Sequence, residues 1–201
     1  MRAARLGLVF AIVLVAAAAA AIFTDWPGRS SVPSETGPTT VALERPDMEL
    51  LPFSWHDAPR PIDDLAFTDA DGRAVHLSDF RGRAALVNLW ATWCAPCLRE
   101  MPTLDALARE AAGPGLTVIA LNQDRGGLEA ARPFWDAHGF TALELYLDPG
   151  FAAGRALAAP GLPLTVLIDA EGRELARLEG IAAWDSPEVV AYFKALAAAA
   201  G

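Results

Sequence analysis

From residue 84 onward, near-continuous apolar runs alternate with amphipathic stretches. Ala84–Ala91 (AALVNLWA) and Leu116–Leu121 (LTVIAL) have the composition of strands covered on both faces. Leu143–Leu147, Leu164–Ile168 and Glu174–Leu178 read as three more strands. Between Cys97 and Ala112, apolar side chains recur at 98, 101, 104, 107, 108 and 111, the spacing of one helical face. Leu128–His138 predicts a second helix, interrupted at Pro133, and Phe151–Ala158 a short third one. Pro187–Leu196 predicts a last helix, with Ser186 as N-cap and Pro187 at the first helical position. Two polar turns ending in glycine predict hairpins: Asp69-Ala70-Asp71-Gly72 between Leu65–Thr68 and Ala74–Leu77, and Asp169-Ala170-Glu171-Gly172 ahead of Glu174–Leu178. Strands alternating with helices, finished by a hairpin and a helix, predict an α/β sandwich on a mixed central sheet.

The first sixty residues follow a different pattern. Arg2 and Arg5 precede Leu6–Phe23, an uncharged run of 18 residues. As a helix it measures about 27 Å, close to the roughly 30 Å hydrocarbon core of a bilayer. Basic residues before it and Asp25 after it favour a cytoplasmic N-terminus with the remainder outside. Residues 1–24 therefore read as a membrane anchor; a cleaved signal peptide and a buried core helix are the alternatives. Residues 25–61 hold seven of the fifteen prolines and several Ser and Thr, and read as a tether in which neither helix nor sheet propagates. Within it, Met48–Trp55 (MELLPFSW) is apolar enough to pack onto the domain as an irregular piece. Residues 62–201 suffice for one domain with a sizeable core.

Composition excludes two classes. The 201 residues are 53% hydrophobic, too apolar for an intrinsically disordered chain. The net charge of −9 argues against a sequence-independent nucleic-acid binder, which needs a cationic face. The spread of acidic residues reads as a solvated surface or as steering toward a basic partner.

The chain has two cysteines, three apart, as Cys94-Ala95-Pro96-Cys97, where a buried strand meets a helix. Two intervening residues in a first helical turn let the sulfurs reach bonding distance. The helix end offers unpaired amides and a positive dipole, which stabilise a thiolate. Cys94 is then the low-pKa nucleophile and Cys97, one turn further in, the resolving thiol. Two other chemistries use such a pair. A structural disulfide closing so short a loop stabilises little. A copper site would need a further ligand from His56, His76 or His138, none of which stands in a ligand pattern with the motif.

WATWCAPC between an apolar strand and a helix resembles the thioredoxin-like superfamily. Residues 62–198 resemble its membrane-anchored TlpA branch, the TlpA/ResA/CcmG group. The similarity includes Glu100-Met101-Pro102, LTVIALNQD at 116–124, GLPLTVLIDAEGRELARLEG at 161–180 and the tail IAAWDSPEVVAYF. The resemblance implies a thioredoxin-like fold with an N-terminal β-hairpin extension and a central helical insert. It also implies a thiol:disulfide oxidoreductase that uses a redox-active Cys94–Cys97 disulfide and no cofactor or metal.

By position, Pro163 matches the superfamily's cis-proline, with Leu162 presenting backbone to a bound peptide. Trp93, Ala95 and Pro96 complete the substrate-binding surface, and Trp90 belongs to the core. Leu164 stands where threonine is often found. Pro102 matches the proline that kinks the first helix. Asn88 replaces the buried aspartate of cytoplasmic thioredoxins and cannot take a proton. Glu100, one turn beyond Cys97, matches the acid that this branch carries there, placed either to relay a proton or to raise the thiol pKa values by like-charge repulsion; a solvated first-turn glutamate is the alternative. Trp135 and Trp184 read as packing residues, and Arg99, His76 and His138 as surface groups.

Spacing does not set the direction of electron flow. The resemblance implies a dithiol reductase in the inner membrane, its domain in the periplasm, re-reduced by a membrane electron-donor thiol protein. The implied substrates are the copper chaperone or oxidase subunit of cytochrome oxidase assembly, or else apocytochrome c in cytochrome c maturation. From another class, the pair would serve a copper-carrying module.

Overall fold

The computed structural model describes Glu49 and residues 51–200. The expected anchor and most of the tether lie outside the described residues. Eight strands form one mixed sheet in the order β1-β8-β7-β4-β5-β6-β2-β3. They are β1 (Ser54–Pro61), β2 (Ala66–Asp69), β3 (Ala74–His76), β4 (Ala84–Trp90), β5 (Leu116–Asn122), β6 (Glu144–Leu147), β7 (Leu164–Ile168) and β8 (Arg173–Glu179). The helices are α1 (Ala95–Ala111), α2 (Gly127–His138), α3 (Ala152–Ala156) and α4 (Pro187–Ala200). β4, β5 and β6 run parallel, and the other pairings are antiparallel. This is a thioredoxin-like fold. The hairpin β2–β3 extends the sheet beyond β6, and α2, β6 and α3 are inserted between β5 and β7.

The period-two alternation of β4 builds both layers. Ala84, Leu86 and Trp90 face a core shared with Cys97, Met101 and Leu104 of α1 and Val189 and Phe193 of α4. Ala85, Val87 and Leu89 face a second core with Leu65, Phe67, Tyr146 and Leu157. Every residue of β4 is buried, as the unbroken apolar run demands. At about 1.5–3 kcal/mol for each fully buried large aliphatic side chain, this strand is a main source of stability.

The sheet continues into the segment read as a tether. Leu51 and Phe53 are fully buried, and the Phe53 ring lies 6.3 Å from that of Trp184. β1 then pairs with β8, from Ser54 opposite Arg177 to Pro61 opposite Arg173, with a register irregularity between Trp55 and Arg60. Pro59 and Pro61 are compatible with this because β1 is an edge strand, where only alternate amides are needed for the ladder. α2 also differs from expectation, running unbroken through Pro133. Its packing outweighs the lost backbone hydrogen bond: Ala131 is fully buried, and Phe134 and Trp135 lie 5.4 and 6.0 Å from the Trp90 ring. Pro102 lies within α1, which remains helical through it. At α4, Ser186 Oγ accepts the Val189 amide at 3.3 Å, the expected cap.

Candidate active site

The motif loop leaves the buried end of β4 and turns directly into α1. Cys94 is the helix N-cap, and its Sγ accepts the Cys97 amide at 3.3 Å. The two sulfurs form a disulfide with a 2.05 Å S–S bond and Cα atoms 5.3 Å apart. Cys97 is sealed from solvent, whereas Cys94 keeps 5% of its surface. Of the two, only Cys94 reaches the surface. Trp93, just before it, is 69% exposed; Ala95 is exposed and Pro96 half-buried.

A buried carboxylate fixes this loop. Asp124, at the end of β5, accepts the Thr92 amide at 2.9 Å and the Thr92 hydroxyl at 3.0 Å. Its Oδ2 also accepts Asn122 Nδ2 at 2.7 Å. The Gln123 amide bonds the Trp90 carbonyl at 2.8 Å. LNQD, part of the TlpA-like pattern, anchors the motif loop through Asp124.

Pro163 follows a cis peptide bond from Leu162 and is buried. Leu164 pairs with Leu89 across β7 and β4, so Pro163 stands at the end of β4 from which the motif loop departs. Leu162 is half-buried and packs against the core that contains Cys94 and Cys97. Leu164 is fully buried, so its side chain offers nothing to a ligand.

Glu100 is 3% exposed, which removes the solvated reading. Its Oε1 accepts Asn88 Nδ2 at 2.9 Å, and its Oε2 accepts Trp184 Nε1 at 2.8 Å and the Ala182 amide at 3.4 Å. Burial pushes its pKa above the ordinary carboxylate value, outweighing these three donors, which favour the charged form. Asn88 Nδ2 also donates to Thr165 Oγ1 at 2.9 Å, while Asn88 Oδ1 has no partner. Trp184 does pack, against Phe53 and Phe193, but it also supplies a donor to Glu100. Trp184, Thr165 and Ala182 are site residues that sequence reasoning did not assign.

The remaining candidates fall as follows. Trp90 is fully buried, and Arg99, His76 and His138 are exposed. His56 Nε2 lies 2.8 Å from Glu174 Oε1, a contact between β1 and β8. Among the described residues no three His, Cys, Asp or Glu side chains converge on a metal-binding geometry.

The family model described as Redoxin matches residues 50–191. A thiol-disulfide oxidoreductase ResA of Bacillus thuringiensis subsp. konkukian is 30% identical over 113 residues, covering 56% of this chain and 64% of the relative. The chain thus spans just under two thirds of that curated relative. A secreted thiol-disulfide isomerase from Corynebacterium glutamicum superposes with a TM-score of 0.61 at 25% identity, covering 77% of this chain and 95% of the other. A protein from Chlorobium tepidum, assigned as thiol:disulfide interchange protein DsbE, gives 0.59 at 26% identity, covering 72% and 99%.

Proposed function

The chain belongs to the Redoxin family, and from that premise we propose that it is an exported thiol:disulfide oxidoreductase acting as a dithiol reductase on protein disulfides. The observation that carries this reading is the Cys94–Cys97 disulfide at the head of α1, with solvent access to Cys94 alone. In the reduced protein, the Cys94 thiolate attacks one sulfur of a substrate disulfide. A mixed disulfide forms and the first substrate thiolate leaves. Cys97, having lost its proton, attacks the Cys94 sulfur, re-forms the Cys94–Cys97 bond and releases the second substrate thiolate. Two electrons pass to the substrate. A dithiol protein must return them, because an oxidising compartment has no general thiol reductant.

Glu100 is the proton acceptor for Cys97 in this scheme. It is one helical turn away, buried, and held in a single orientation by three donors. Leu162 and cis-Pro163 provide the backbone edge against which the substrate segment lies, with Trp93, Ala95 and Pro96 opposite. The TlpA resemblance points to copper-centre assembly of cytochrome oxidase, with a copper chaperone or oxidase subunit as the substrate.

Cys97→Ser tests the reading. The variant retains the nucleophile and lacks the resolving thiol, so mixed disulfides through Cys94 should accumulate in the native membrane. Mass spectrometry of the trapped partner then discriminates a copper-assembly protein from apocytochrome c. Failure to trap any partner, together with stoichiometric copper on the wild-type protein, would establish a carrier instead.

A further inference from the structure

A groove of about 750 Å³ opens beside the motif, between Trp93, the turn at 123–126 after β5, and the segment 149–155. Its walls are fixed. Asp124 ties the first wall to Thr92. Asp148 ties the second, accepting the amides of Ala152 at 3.0 Å and Ala153 at 2.8 Å. The Asp148 amide bonds the Asn122 carbonyl at 2.8 Å, which joins the two walls. Phe151 adopts a left-handed conformation (φ 54°), and its ring lies on Gly154, where a Cβ would come within 2.5 Å of it.

The charge available in this groove is one-sided. Three charged residues line it: Asp124, Arg125 and Arg155. Both Asp124 oxygens are occupied by Thr92 and Asn122, and the residue is 3% exposed. Arg125 and Arg155 are exposed, and neither forms an ion pair among the described residues. Arg155 is steadied at the rim by donation to the Gly150 carbonyl at 2.6 Å, with its other N–H groups free to bond elsewhere. Two uncompensated guanidinium groups therefore line the groove that Trp93, the residue before Cys94, also lines, in a chain whose net charge of −9 repels acidic partners elsewhere. Trp93, at the groove's open edge, and the half-buried Phe151 add flat apolar surface.

We infer that this groove selects the substrate: it takes the segment flanking the target cysteine and favours one carrying Asp or Glu, with carboxylates paired to Arg125 and Arg155. The inference rests on the reductase reading and names its substrate class. Arginine suits the task because its planar fork pairs with a carboxylate through two hydrogen bonds.

Disulfide-linked peptides differing only in Glu, Gln or Lys beside the cysteine provide the test, with uncharged hydroxyethyl disulfide as reference. The ratio of kcat/KM for the Glu peptide over the Lys peptide should exceed one, and should fall toward one by about 0.5 M salt. Each of Arg125→Gln and Arg155→Gln should lower that ratio roughly two- to fivefold, through KM. The double variant Arg125→Glu/Arg155→Glu should invert the preference. Fluorescence anisotropy with labelled, cysteine-free versions of the peptides measures docking without turnover and should show the same order. Equal binding of all three peptides, or a ratio unmoved by the arginine substitutions, overturns the inference even if hydroxyethyl disulfide is reduced. Charge-ordered binding without reduction of any disulfide supports the groove and removes the reductase reading instead.

Discussion

Glu100→Gln probes the buried acid with little change in shape. Three N–H donors converge on the carboxylate: Asn88 Nδ2, Trp184 Nε1 and the Ala182 amide. A glutamine offers one acceptor oxygen and one NH2 group. The oxygen must face Trp184 and Ala182, whose donors cannot turn away. The NH2 group then faces Asn88, which can turn its amide by half a rotation and accept with Oδ1, the atom left without a partner in the wild type. Thr165 Oγ1, now an acceptor, can donate to the same oxygen. The turned amide leaves Asn88 Nδ2 where Oδ1 stood without a partner, so one unpaired group replaces another and the substitution should cost no more than about 1 kcal/mol. Glu100→Leu has no such escape: Trp184 Nε1, in a fully buried residue, is orphaned at about 1–3 kcal/mol.

The pH dependence sharpens the comparison. The folded-state pKa of Glu100 is raised, foremost by burial. Its proton therefore contributes stability that is fully present below the unfolded value, about 4.5, and is lost as pH rises through the folded value. Wild type and Glu100→Gln should have similar stabilities at low pH. The variant should gain relative to wild type as pH rises, by about 1.4 kcal/mol for each pH unit separating the two pKa values, and then level off. Urea denaturation of the oxidised proteins at a series of pH values measures this directly. In the reduced protein, the same substitution should slow resolution of the mixed disulfide about 10²-fold. A stability difference that does not vary with pH, or one that moves in wild type's favour as pH rises, would refute the reasoning. The second result would mean that the three donors hold the carboxylate ionised against its burial.

Two further perturbations test the frame around the site. Asp124→Ala removes the acceptor for Thr92 and Asn122, and Asn122 is fully buried; the loss should be about 2 kcal/mol in urea denaturation, accompanied by a changed rate of Cys94 alkylation in the reduced protein. Glu174 is 2% exposed and is gripped by Arg177 through both oxygens, at 2.7 and 2.8 Å; Arg177→Ala should cost about 3–5 kcal/mol, with partial recovery in Arg177→Ala/Glu174→Leu. Burial alone would raise the Glu174 pKa, but Arg177 and His56 together lower it, so the stability from this carboxylate is present above its unfolded value and is lost on acidification.

The parts of the site legible in the sequence are those whose chemistry is local. The cysteine pair lies within one helical turn, and the apolar run of β4 announces its own burial. Pro163 was legible only through the family pattern, since nothing local separates a cis-proline from an ordinary turn proline before a strand. β1 was not legible, because Pro59 and Pro61 are strand-breaking signals except at an edge with alternate pairing, and an edge is a property of the assembled sheet. The helix through Pro133 is similar: propensity forbids it, and the contacts of Phe134 and Trp135 with Trp90, some forty residues earlier, permit it.

Glu100 shows why burial of a polar side chain resists reading from sequence. On α1 alone it occupies the second turn, one turn past Cys97, where an acidic residue is ordinarily solvated. Its environment is made by residues that meet only in the folded sheet: Asn88 on β4, Thr165 opposite it on β7, and Ala182 and Trp184 beyond β8. The tail containing Trp184 thus reaches Glu100 through the indole N–H at 2.8 Å, 84 residues from its acceptor, and through the Ala182 amide at 3.4 Å. A change at Trp184 should therefore alter the pH behaviour of the cysteine pair as well as the packing of Phe53 and Phe193. The same indole packs against Phe53 and Phe193 and donates to the buried acid one turn from Cys97, opposing the effect of burial on its pKa, so packing and this hydrogen bond cannot be varied independently at that position.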